Sequence, residues 1–185
     1  QYTSAGGAML ERCLKQASTF IADVKDVVRS QGPGPKVKLE LASFMYRIQA
    51  QYQLHFKNLC YQLHIHVPTG IVITSYPQEL EQVLNLLIQN AEVHGLSAIE
   101  NGQIWIEAQE SAESISLSVR DNGAGVDSAI AERIFDAFFT TRLGRNRGLG
   151  LNHAKNLVQG VLGGKITLEA SLEPGAKFVL CLPKI

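Results

Sequence analysis

Four short stretches of this chain hold residue types that bind or react, and each also has a plainer explanation. In "RDNGAGVD", residues 120–127, an acid ends a run of alternating apolar residues and two glycines follow at alternate positions. Asp121-Asn122-Gly123 is good turn chemistry and needs no ligand. The alternative is a binding edge, where a fixed carboxylate reads a ligand and the glycines let the backbone come close to it. Taken alone, the stretch favours the turn. In "ELEQVLNLLIQNAEVHG", residues 79–95, Asn90 and His94 lie four apart on one helix face. Asn is a weak helix former, and its amide oxygen is a fair ligand for Mg2+, which prefers oxygen and keeps several waters. Otherwise Asn90 is a solvent-facing or C-terminal capping amide, and His94 an ordinary histidine at the negative end of the helix dipole.

The third stretch, "ERIFDAFFTTR" at 132–142, sets Phe135, Phe138 and Phe139 beside small residues and a terminal Arg142. Aromatics at that spacing belong mainly to a core. The fourth, "NRGLGLNHAKNLV" at 146–158, runs a glycine pair straight into a helix. Backbone N–H groups there, with the helix dipole behind them, form a natural phosphate cradle. A lone G-x-G is a weak signal, because glycine-rich turns are common.

The chain that must position these groups has 185 residues, 45% of them hydrophobic, and a formal net charge of zero. That suits one globular domain with an appended element and is ample for a real core. Neutral balance argues against a nucleic-acid partner or an anionic-membrane binder, which need clustered Lys and Arg. No uninterrupted apolar run reaches membrane-spanning length and no signal peptide opens the chain; "QYTSAGG" reads as an edge within a larger protein. Cys13, Cys60 and Cys181 form no metal-ligand pair, and their apolar neighbours make them reduced core residues of a cytosolic protein.

Residues 8–30 read as a helix, because Leu10, Leu14, Ala17, Ile21, Val24 and Val28 alternate spacings of four and three. Cys13, Phe20 and Val27 add a second stripe, which fits a four-helix bundle better than a helix packed on its own domain. "GPGP" at 32–35 then marks a boundary. Beyond it "KVKLEL" is a short strand, 42–59 a helix, and "YQLHIHV" and "IVITS" flank "PTG" as a hairpin. Residues 77–94 form a helix with Pro77 in its first turn, and "QIWIEAQ" and "SISLSVR" alternate as strands. A helix at 150–162 and the strands "GKITLEAS" and "AKFVLCLP", joined by Glu173-Pro174-Gly175, complete the chain. The expected fold class is α+β, a two-layer α/β sandwich with helices on one face of a single mixed sheet, preceded by one long helix.

In order and spacing the four stretches resemble the N, first glycine, F and second glycine boxes of the GHKL ATP-binding fold. That fold is shared by sensor histidine kinases, gyrase-type topoisomerases, mismatch-repair ATPases and heat-shock chaperones, and the likeness is strongest to the kinases. "QVLNLLIQNAEVHG" looks like their N box, "DNGAGV" matches D-x-G-x-G, and "IFDAFFTTR" is similar to "IFxPFFTTK". "RGLGLNHAKNLVQGVLGGKITLEA" resembles the second glycine box and the strand after it. The resemblance implies that residues 1–31 are the second helix of a dimerization and phosphotransfer domain, forming a homodimer, and that 36–185 are the catalytic domain. It implies ATP and Mg2+ as cofactors, a response-regulator receiver domain as partner, and a cytoplasmic domain whose parent is anchored in the inner membrane. By the same resemblance Asp121 accepts the adenine amino group, and Gly123 and Gly125 let the base lie against the backbone. Asn90 holds Mg2+, and Arg142 or Arg147 supplies a cation. His94, Val126, Phe135, Thr140 and Thr141 join the nucleotide site, and Gly148, Leu149, Gly150 and Leu151 wrap the phosphates.

Three departures qualify the match. Family N boxes usually carry a polar residue four before the second Asn; here that place is Leu86, and Asn85 stands one residue early, about 100° round the helix. The second glycine box usually reads G-T-G-L-G-L, whereas this chain has Asn146-Arg147-Gly148-Leu149-Gly150-Leu151. No phosphoacceptor box of the H-E-x-x-x-P type surrounds His55, His64, His66, His94 or His153. Three functions are therefore open: a histidine kinase catalytic domain, a degenerate module that signals by dimerization, and a gyrase- or chaperone-type ATPase. The missing Glu at position 86 counts against the last.

Overall fold

The computed structural model describes residues 33–141, 148–170 and 174–184. The chain divides into two units at Gly32–Pro33. The helix expected at 8–30, with Cys13, lies outside the described residues.

Among the described residues of the second unit seven strands and three α-helices follow in order: β1 (Val37–Glu40), α1 (Leu41–Leu59), β2 (Gln62–His66), β3 (Val72–Ser75), α2 (Pro77–Asn90), β4 (Gln103–Glu110), β5 (Ser114–Asp121), α3 (Gly150–Gly160), β6 (Lys165–Glu169) and β7 (Lys177–Pro183). A single π turn, Ala91–Gly95, extends α2. Five strands form one mixed sheet in the order β2-β4-β5-β7-β6, parallel only between β2 and β4. Alternation explains its two faces. Ile104 and Ile106 on β4, Ile115, Leu117 and Val119 on β5, and Phe178, Leu180 and Leu182 on β7 are all buried in one core cluster. Helix α2 closes that core with Leu80, Val83, Leu84, Leu87 and Ile88, a helical i, i+3, i+4, i+7, i+8 stripe. Two layers, sheet and helices, are thus as expected.

The hairpin expected across Pro68-Thr69-Gly70 does not form. β2 pairs with β4 in parallel, Leu63 against Ile104, while β3 pairs antiparallel with β1 in a separate two-stranded sheet. Val67 and Ile71, on either side of the turn, are both buried, so the chain crosses from one sheet to the other there. Strand alternation shows which face is buried; it does not name the partner strand. The single sheet expected from the pattern is accordingly two.

Local chemistry sets the helix ends. Glu40 caps α1 by accepting the N–H groups of Ala42 at 3.3 Å and Ser43 at 2.7 Å. The Ser43 bonds, first, hold its carboxyl below the ordinary value. Cys60 ends α1 in the left-handed region, φ 57°, and Tyr61 N–H closes on Phe56 O at 2.9 Å. That cap position leaves Cys60 exposed, and Cys181 is exposed because its neighbours Leu180 and Leu182 take the inward positions of β7. Neither described cysteine is the core residue expected. Among the described residues no helix is long and apolar enough to cross a membrane.

Candidate functional site

Asp121 is the last residue of β5, opposite Ile104 on the inward face, and is only 2% exposed. Its Oδ1 accepts the N–H of Gly123 at 2.8 Å and that of Ala176 at 3.3 Å. The first bond is an Asx turn, so the plain reading of "DNG" is correct as far as it goes. The second comes from the residue just before β7, the strand paired with β5, and holds the carboxyl as tertiary structure. Burial pushes the acid above its ordinary value, while the Gly123 and Ala176 amides and the Arg120 guanidinium pull the other way. Both amides reach Oδ1 and neither reaches Oδ2.

The π turn presses against this carboxyl. A Cβ on Gly95 would come within 2.7 Å of Asp121 Oδ1, and one on Gly123 would collide with the Gly95 backbone. Ala124 N–H binds Gly95 O at 3.2 Å and completes the contact. The glycines are therefore required by close approach of two backbones. Gly125 and Val126 follow at once, both half-buried, with Val126 packed on the core.

Asn90 stands half-buried where α2 passes into the π turn, and its side chain makes no N-capping bond to that turn. The i to i+5 bond from Leu96 N–H to Ala91 O, at 2.8 Å, shows the wider winding. His94 Nδ1 lies 3.3 Å from Thr141 Oγ1, joining the N box to the aromatic stretch. Thr140 beside it is half-buried.

The three phenylalanines separate. Phe135 meets Phe178 edge-on at 6.2 Å, and both Phe135 and Phe139 pack on the core. Phe138 does not: it is 75% exposed with φ 67°. Gly148, itself at φ +67°, comes so close to this segment that a Cβ on it would strike the Phe139 carbonyl. From Gly148 the chain enters α3 through Leu149, which makes no side-chain cap, and the first helical bond is His153 N–H to Leu149 O at 2.8 Å. The N–H groups of Gly150, Leu151 and Asn152 are thus left without intrahelical partners, as an anion cradle requires. Arg142 and Arg147 lie outside the described residues.

Position 86 is occupied as the sequence implied. Leu86 packs on the core, with its Cδ2 3.8 Å from where a Cβ of Gly150 would stand. Asn85 is engaged elsewhere, accepting the Tyr52 hydroxyl at 3.2 Å. Sequence reasoning did not mark Gly95, Gly175, Ala176 or Asn152. Gly95 follows His94 directly, and Gly175 was legible only as a turn, yet its Cα lies against the Asp121 carbonyl.

The chain is similar to known proteins. The chain is 41% identical over 113 residues to sensor histidine kinase ZraS of Escherichia coli O157:H7, covering 60% of this chain and 23% of ZraS. It is 30% identical over 148 residues to sensor protein kinase PilS of Pseudomonas aeruginosa, covering 78% of this chain and 27% of PilS. The catalytic domain of histidine kinase ThkA superposes with a TM-score of 0.72 at 25% identity, covering 82% of this chain and 97% of that one. ThkA has also been solved in complex with the response regulator protein TrrA. The chain spans only about a quarter of the length of ZraS and PilS. Residues 75–185, which include the buried acid, the π turn and the glycine turn, match the family model of histidine kinase-, DNA gyrase B- and HSP90-like ATPases, and the chain belongs to that family.

Proposed function

We propose that this chain is the ATP-binding part of a two-component sensor histidine kinase, presenting the γ-phosphoryl group to a histidine on a dimerization and phosphotransfer domain. One observation carries the reading: a buried carboxylate whose Oδ1 is saturated by two backbone N–H groups, with glycine backbone on either side. Oδ2 is then the acceptor left for an exocyclic amino group of the base. Gly123, Gly125, Val126 and His94 surround that base. Gly148, Leu149, Gly150 and Leu151 offer their amides to the phosphates, and Phe135, Thr140 and Thr141 form the wall beside them. Arg142 and Arg147 are the cations near the triphosphate.

Asn90 would hold Mg2+. Among the described residues no group of three His, Cys, Asp or Glu could enclose a metal. A cation held by one amide, phosphate oxygens and water needs no such cage. When bound, Mg2+ neutralises phosphate charge; the protein's own part is to position the groups and exclude alternatives. Residues 1–31 would form the homodimer contact, a response-regulator receiver domain would take the phosphoryl group onward, and the parent would be membrane-anchored with this domain in the cytoplasm. No nucleic-acid role is proposed, in keeping with the zero net charge.

Titration of the chain with ATP in Mg2+ by calorimetry tests the reading. Saturable binding that adenosine competes away is expected. No heat at millimolar ATP overturns it.

A further inference from the structure

A hydrogen bond between the third and fourth stretches belongs to a residue that no motif marks. Asn152, in the first turn of α3, donates its Nδ2–H to the carbonyl of Phe135 at 2.9 Å. One turn further, Asn156 Nδ2–H donates to Asn152 Oδ1 at 3.3 Å. The second bond occupies the oxygen end of the Asn152 amide and so turns its nitrogen toward Phe135. Phe135 is already seated by Phe178, and four residues on Phe139 lies against Gly148. The segment is therefore pinned twice to the start of α3, by an amide at Phe135 and by close backbone contact at Phe139. Beyond these pins it reaches His94 through Thr141.

We infer that Asn152 is a positioning residue of the nucleotide site, setting the distance between the phenylalanine–threonine segment and the glycine turn. The inference rests on the ATP-binding reading and extends it to a side chain that touches neither base nor phosphate in that reading. Its effect is selective. The pins lie on the phosphate side, whereas the base corner is built by Asp121, Gly95, Gly123 and Ala176, which make no bond to Asn152 among the described residues. Loss of the amide loosens the phosphate wall and leaves the base corner intact. Ala at this helical position keeps helix propensity, so the helix itself is not weakened.

The test compares ATP with Mg2+ and adenosine as ligands for the full chain by calorimetry, with thermal melts of each variant. Asn152→Ala should weaken ATP about tenfold, the worth of one hydrogen bond, and change adenosine less than about twofold. Asn156→Ala, which frees the amide to turn without removing it, should weaken ATP about threefold. Unchanged ATP affinity in Asn152→Ala overturns the inference. Equal losses for ATP and adenosine, accompanied by a lowered melting temperature, also overturn it, because they assign Asn152 to general stability. Failure of the unsubstituted chain to bind either ligand instead defeats the ATP-binding reading itself.

Discussion

Tyr52 on α1 donates its hydroxyl to Asn85 Oδ1 at 3.2 Å, across the interface between α1 and α2. Burial, then the charges of Glu92 and Glu81, push the phenol up to about 12, so it remains a donor throughout the physiological range. Asn85, the polar residue beside position 86, is thus held on the α1 side. Leu86 meanwhile faces Gly150, at the head of the glycine turn.

Poor ATPase activity follows. An apolar side chain at position 86 can neither polarise water nor hold a cation through a water bridge, so hydrolysis lacks a term worth about 10²–10⁴-fold. Asn85 does not replace it while bound to Tyr52. Steady-state phosphate release, without an acceptor domain, should be slow although ATP binds. Turnover comparable to that of a dedicated ATPase of this family would contradict this and favour hydrolysis as the function.

Asp121→Asn should keep the fold and lose nucleotide. The amide oxygen can still accept from Gly123 and Ala176, but the charge-assisted bond to the base, about 1.5–3 kcal/mol, is gone. Calorimetry should show ATP affinity down by at least about tenfold. Stability should move the opposite way with pH. The folded carboxyl titrates above its ordinary value, so the folded state binds the proton more tightly than the unfolded chain. Below the ordinary carboxylate range this acid imposes no burial cost. As pH rises from there through the raised value, the wild-type protein loses stability relative to Asp121→Asn. Urea melts of both proteins between acid and neutral pH measure that difference, and parallel profiles would refute it.

Gly148→Ala should be costly for two separable reasons. The backbone at φ +67° disfavours any side chain by about 1–2 kcal/mol, and the new methyl group meets the Phe139 carbonyl. We expect a lower melting temperature together with weakened ATP binding. Gly160→Ala is the control, since nothing lies within 4 Å of its added Cβ. Equal melting temperatures for the two variants would show that the contact at Phe139 is not tight in solution.

Removal of residues 1–31 should leave a monomer that still binds ATP. Sedimentation of the shortened chain beside the full chain decides it. An unchanged mass per particle would place the dimer contact elsewhere.

Helix α2 and strands β4, β5 and β7 were legible because periods of 3.6 and 2 follow directly from backbone geometry, as in Leu80, Val83, Leu84, Leu87 and Ile88. The Asx turn at Asp121 was legible for the same reason: its donor lies two residues away. Pairing between distant segments was not. β2 and β3 carry hairpin-like patterns, yet burial of Val67 and Ile71 sends them to different sheets. Cys60 has apolar neighbours in sequence but ends exposed at a left-handed helix cap. The π turn that brings Gly95 against Asp121, the amide from Ala176, and the bond from Asn152 to Phe135 join residues from 17 to 55 positions apart. Residue types and their spacing determined an acid at a turn, an amide on a helix and two glycine turns, in an order whose resemblance to a known family implies one nucleotide site. Only tertiary packing decided which oxygen of Asp121 is occupied, which way Asn85 turns and which phenylalanine stays outside, because each depends on atoms contributed by another element.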